Sequence, residues 1–291
     1  MEKGKKFGFI VIGLVIGLIV GGLGSYFYSK SKMAREYYKI GITLGEHADF
    51  NRAMEYYKKA IDLKPNYAEP YNEMGMIYNQ KSDYKNAIKY MEYAIELNPD
   101  WAEAYCNIGI VNHDMGMEYG SNSDGEIYMK KAIEYYKKAI KIDSLFSEAY
   151  YYMGITYKDR GDDDDAIKCF EKVIELKPND EEAYNYLGSV YDVKENYDKA
   201  IECFNKAIEL DENYTEAYRN AGSAYYSKQD YQKSVDCFEK AIELKADLTS
   251  DDYWELGEAY QFLKNEEKAK ECFETARGVE WDEFRTHNLS D

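Results

Sequence analysis

The side chains that could do chemistry are few and scattered. The three histidines, His47, His113 and His287, never stand close to a second histidine or a cysteine at metal-ligand spacing. Cys106 stands apart from Cys169, Cys203, Cys237 and Cys272, which recur at intervals of 34, 34 and 35 residues. A recurrence that long follows a structural period, so these thiols read as small packing residues rather than disulfides or ligands. Asp162–Asp165 is a run of four carboxylates. It falls where a helix should begin, and acid there complements the helix dipole. Asn122-Ser-Asp124-Gly125 looks like part of a calcium loop, but Gly120 stands where the first Asp is required and Lys131 where the bidentate Glu is required. No phosphate-binding loop, serine-nucleophile elbow or HExxH pair occurs. The expectation is a chain without a catalytic centre, metal or cofactor, whose function is binding.

The elements that would position a binding surface are written in a repeat. Gly41, Gly75, Gly109, Gly154, Gly188, Gly222 and Gly257 lie 34, 34, 45, 34, 34 and 35 residues apart. Four residues before each glycine stands a tyrosine, from Tyr37 to Tyr253. Three after stand Leu44, Tyr78, Asn112, Tyr157, Tyr191, Tyr225 and Tyr260. Further on come a small residue (Ala53, Ala87, Ala132, Ala166, Ala200, Ser234, Ala269) and, four later, a large one (Tyr57, Met91, Tyr136, Phe170, Phe204, Phe238, Phe273). Both stripes have helical spacing and are separated by short polar turns such as Lys81-Ser-Asp-Tyr84. Each unit should be two antiparallel helices, with the large residues filling space left by the small ones. Pro65, Pro99 and Pro178 would end second helices.

This pattern resembles the tetratricopeptide repeat: W-x2-L-G-x2-Y, then A-x3-F, then A and P. Tyrosine usually replaces tryptophan, which accounts for much of the 32 Tyr. The resemblance covers 34–67, 68–101, 102–146, 147–180, 181–214, 215–248 and 250–283, and implies an all-α, right-handed solenoid of seven helix-turn-helix units. Departures are Asn112 for the aromatic, Ser234 for Ala, and Ser144, Glu212, Ala246 and Trp281 for Pro. The third unit carries eleven extra residues between Asn112 and Ala132. They read as a lengthened first helix followed by a Gly120–Gly125 loop. Trp281 and Phe284 would cover the open end of the last unit.

The resemblance further implies that fifth and ninth positions of each unit face a concave groove that holds a peptide or helix of a partner protein. The fifth positions are Tyr38, Asn72, Cys106, Tyr151, Asn185, Arg219 and Trp254. The ninth are Ile42, Met76, Ile110, Ile155, Ser189, Ser223 and Glu258, apolar in the first four units and polar in the last three. The lysine with which some members clamp a C-terminal carboxylate is absent from every fifth position. Glu69, Glu103, Glu148, Glu182, Glu216 and Asp251 form an acidic row at second positions, where a helix start favours acid and a basic ligand would be attracted.

The chain begins differently. Residues 7–29 hold no charge and are long enough for a helix to cross a bilayer, after a basic tail over 1–6. Lys3, Lys5 and Lys6 precede the segment and Lys30, Lys32, Arg35 and Lys39 follow it, which leaves its orientation open. The expectation is a single-pass signal anchor, with cleavage near Gly22-Leu-Gly24 the competing reading. Gly13, Gly17 and Gly21 share one helix face and would permit a homo-oligomer through close helix packing, or simply reflect glycine use in membrane helices. Residues 1–39 carry seven basic and two acidic residues, and the remainder 30 and 53. An acidic body of this kind, with a formal charge of −18 overall, excludes nucleic acid as an expected partner. The resulting expectation is a membrane-anchored scaffold or adaptor for proteins. The alternatives are a co-chaperone or secretion factor with transient clients and, remotely, an enzyme. Residues 284–291 read as a tail.

Overall fold

The computed structural model describes residues 28–120 and 123–288, the last ten of these as helix backbone only. It divides into two compact units, Met1–Ser144 and Leu145–Asp291. The described part of the first holds α1 (28–46), α2 (Phe50–Leu63), α3 (Ala68–Gln80), α4 (Tyr84–Leu97), α5 (Ala102–Tyr119) and α6 (Ser123–Ile142). The second holds α7 (Ser147–Arg160), α8 (Asp163–Leu176), α9 (Glu181–Val193), α10 (Tyr197–Leu210), α11 (Thr215–Ser227), α12 (Tyr231–Glu243), α13 (Ser250–Phe262) and α14 (Glu266–Asn288). No strand occurs among the described residues. Within each unit the helices pair in chain order, as the two-stripe pattern requires.

Size complementarity holds each pair together. A Cβ added to Gly41 would lie 2.4 Å from the Tyr57 ring, to Gly109 2.4 Å from Tyr136, to Gly188 2.6 Å from Phe204 and to Gly257 2.5 Å from Phe273. The glycine lets the first helix come down onto the large residue of the second. Tyr57, Tyr136, Phe170, Phe204 and Phe238 are consequently among the most deeply buried side chains.

The turns inside the pairs share one geometry. Ala48, Ser82, Gly161, Glu195, Gln229 and Lys264 all take positive φ, between 55° and 79°. The following residue then donates its N–H to a carbonyl five residues back: Asp49 to Leu44, Asp83 to Tyr78, Asp162 to Tyr157, Asn196 to Tyr191, Asp230 to Tyr225 and Asn265 to Tyr260. Four of these acceptor-bearing residues also cap the next helix, because Asp49, Asp83, Asn196 and Asn265 accept from the backbone N–H of Arg52, Asn86, Lys199 and Lys268. Only Gly161 meets the left-handed position without a side-chain penalty. Gln229→Gly should therefore raise stability by about 0.5–1 kcal/mol. Urea unfolding followed by circular dichroism checks this, and a lower midpoint for the variant would refute it.

Two expectations are corrected. The first helix of the third unit lengthens as expected, α5 reaching 18 residues, but the Gly120–Gly125 loop is cut short, because Ser123, Asp124 and Gly125 open α6, which runs to 20 residues. The ends come close because Gly125 has no Cβ, which would lie 1.9 Å from the Gly120 carbonyl oxygen. Extending two already paired helices satisfies backbone groups that a loop would leave to water. No group of histidines, cysteines and carboxylates suited to a metal occurs among the described residues.

The second correction concerns the membrane. Among the described residues no helix is long and apolar enough to cross one, so the single-pass placement is not borne out. Residues 7–27, with Gly13, Gly17 and Gly21, lie outside the described residues. Tyr28 and Ser29 instead open α1, whose next turns carry Lys30, Lys32, Arg35, Glu36 and Lys39 and cannot enter hydrocarbon cheaply. The expected end cover by Trp281 and Phe284 falls where side chains are not described.

Candidate functional site

The first helices of the pairs carry the expected groove positions, and the structure sorts them. In the N-terminal unit Tyr38, Ile42, Met76 and Ile110 are half-buried, whereas Asn72 and Cys106 are 1% and 2% exposed. The Tyr38 ring packs 5.3 Å from Tyr67 and 5.9 Å from Tyr57. Asn72 is committed to the next pair, since Asn107 Nδ2 donates to its Oδ1 at 3.0 Å. Beside it, burial and the nearby Glu103 push the Glu73 carboxyl up to about 7, with Asn72 partly opposing the shift. Burial chiefly, then the Glu73 charge, raises the Tyr38 hydroxyl.

The same connection recurs in the C-terminal unit. Asn220 Nδ2 donates to Asn185 Oδ1 at 2.9 Å, and Asn185 Nδ2 donates to the Tyr214 hydroxyl at 3.3 Å. Asn185 is 4% exposed as a result. The Tyr151 hydroxyl donates to Glu182 at 2.8 Å and its ring meets Tyr186 edge-on at 5.6 Å, next to the half-buried Ile155. Trp254 stays 37% exposed and packs 4.7 Å from the Phe273 ring, while Glu258 accepts from the Tyr226 hydroxyl.

Four expected positions, Asn185, Ser189, Arg219 and Ser223, line one open cavity of about 580 Å³. Ser189 donates to its own helix, at the Asn185 carbonyl, and Ser223 donates to Glu255 Oε1 at 3.1 Å. Glu255 lies on the cavity wall, where burial raises its carboxyl to about 7 despite that bond; Asp252, Asp192 and Asp251 add to the rise. Burial also raises Asp192, on the neighbouring helix. Of these carboxylates only Asp251 was singled out in the sequence; Glu255, Asp252 and Asp192 were not anticipated, nor were Asn107 and Asn220. The signal was present: Glu73, Asn107, Asn220 and Glu255 all occupy sixth positions, one residue beyond those singled out. The acidic row behaves as helix-start charge, with each member in the first turn of its helix.

Models described as tetratricopeptide repeat match residues 34–67, 128–144, 147–180, 181–214, 215–247 and 253–276, and one described as TPR repeat matches 75–116. The chain belongs to the tetratricopeptide repeat family. A model described as Est1 DNA/RNA binding domain also matches 53–95, a stretch running from α2 through α4 of the same repeats. Among solved structures, Pseudomonas aeruginosa PilF is 18% identical over 76% of this chain and 97% of its own, with a TM-score of 0.62. A tetratricopeptide repeat protein from Parabacteroides merdae is 17% identical over 85% of this chain and 93% of its own, with a TM-score of 0.59. At these identities the two share the repeat fold with this chain. An uncharacterized protein of Methanocaldococcus jannaschii is 45% identical over 38 residues, 13% of this chain. That match spans less than half of the relative, 44% of its length.

Proposed function

We propose that this member of the family is a non-catalytic scaffold that holds a peptide or helical segment of a partner protein against the first helices of its repeats. The array is taken as seven repeats over 34–283, with the borders given above. The observation that carries the reading is the cavity of about 580 Å³ on which Asn185, Ser189, Arg219 and Ser223 converge from α9 and α11. The volume suits a few residues of an extended chain. Its lining mixes hydroxyl, amide and charged groups and carries no histidine or cysteine, which favours holding over turnover. Tyr151 and Ile155, on α7 of the same unit, offer partly exposed apolar surface of the kind that anchors a partner.

A photo-crosslinking residue at position 189 or 223 should capture a stoichiometric partner, while one at the exposed Lys168 on α8 should not. Tyr151→Ala with Ile155→Ala should cut capture about tenfold with helicity preserved. Equal capture from position 168, or capture indifferent to the double substitution, would refute the reading.

A further inference from the structure

The cavity in the C-terminal unit is unbalanced in charge. Five carboxylates line it, on Asp192, Glu216, Asp251, Asp252 and Glu255, against two cations, Lys158 and Arg219. Neither cation closes on the two deepest carboxylates. The Lys158 ammonium lies 3.8 Å from Asp159, and the Arg219 guanidinium reaches Asn220 Oδ1 at 3.5 Å. Asp192 Oδ1 and Glu255 Oε2 are buried and meet no hydrogen-bond donor among the described residues. The other Glu255 oxygen holds the Ser223 hydroxyl, which fixes the carboxylate in place. Such groups are costly to bury, and folding leaves them without the partner that would offset the cost.

We infer that the groove takes a partner segment carrying a lysine or arginine, whose cationic head sits between Asp192 and Glu255. This rests on the peptide-binding reading above and adds the chemistry of its ligand. Charge complementarity selects a cation over an anion, and the open cavity of about 580 Å³, far larger than a bare ion needs, selects a cation carried on a peptide. A cation there would also draw Glu255 down from about 7 into its charged form. The Glu73 carboxyl, at the equivalent sixth position of the N-terminal unit, is held up by burial in the same way.

The test is selection of a phage-displayed random nonamer library on the full chain, repeated on Asp192→Asn with Glu255→Gln. The expected result is one register position enriched in Lys or Arg, with enriched peptides binding the double variant at least about tenfold more weakly. Both substitutions keep size and remove buried charge, so melting curves should show a fold at least as stable, and weaker binding cannot be attributed to unfolding. Peptides enriched without a basic position, or a basic preference that survives in the variant, would overturn the inference and leave the peptide-binding reading intact. Spermidine binding as tightly as the selected peptides, with the same dependence on the two carboxylates, would make a free polyamine the occupant and overturn it too. No enrichment of any peptide would remove the peptide-binding reading and this inference together.

Discussion

Phe204→Ala should lower the stability of the C-terminal unit by about 3–5 kcal/mol. Phe204 is 1% exposed and packs with Ala200, Ile201, Ala221 and Ala224. Its neighbours are mostly alanines and a glycine, whose short side chains cannot lean into a void, so the cavity should persist. The reverse change is informative as well. Gly188→Ala places a Cβ 2.6 Å from the Phe204 ring, and such overpacking costs about 1–3 kcal/mol. Gly188→Ala combined with Phe204→Leu should cost less than the two changes added, because the smaller side chain vacates the space the new methyl needs. Guanidinium unfolding of the single and double variants measures all three. A cost below about 1 kcal/mol for Phe204→Ala, or strict additivity of the pair, would show that the repeat core is not held by this complementarity.

Glu73→Gln combined with Glu255→Gln should stabilise the chain in a pH-dependent way. Both carboxyls stand at about 7 in the folded protein, against an ordinary value of 4.5. A carboxyl raised on folding binds protons more readily in the native state, so stability is lost as pH rises from about 4.5 through 7, and the loss is complete above that. The facing charges add to the rise, Glu103 at Glu73 and Asp252, Asp192 and Asp251 at Glu255, while the hydrogen bonds from Asn72 and Ser223 oppose it. Glutamine removes the charge, so its gain should be fullest at pH 8 and vanish near pH 4.5. Allowing for partial solvent screening, each replacement should contribute about 1–2 kcal/mol at pH 8. Thermal melts at pH 5 and 8 decide it. A gain equal at both pH values would point to packing rather than charge, and no gain at pH 8 would mean that both groups are well solvated.

These two predictions draw on different levels of the molecule, and so does its legibility. The pairing of Gly188 with Phe204, and of each equivalent pair, follows from chain-local spacing: one glycine, one large side chain and a short turn bring them together within a single helix hairpin. The same locality made the acid at helix starts and the packing role of the cysteines readable, with Cys169, Cys203 and Cys272 buried and Cys237 partly so. The membrane expectation rested on an uncharged run with basic flanks, nearly all of it outside the described residues, and α1, where the described chain begins, is a charged repeat helix.

The sequence by itself determined the period, the helix pairs and the repeating glycine at each pair's close approach, because those depend on size and spacing inside one repeat. Only the tertiary structure decided which groove positions stay open. Asn72 and Asn185 turn to Asn107 and Asn220 one repeat further on, and Cys106 is sealed. It also decided the ionisation of Glu73 and Glu255, since a carboxyl's pKa depends on water excluded by neighbouring repeats and on charges brought near by folding. The start of α6 at Ser123 belongs with these, because Ser123, Asp124 and Gly125 read as part of a loop until the helix beside them supplies a surface to pack on.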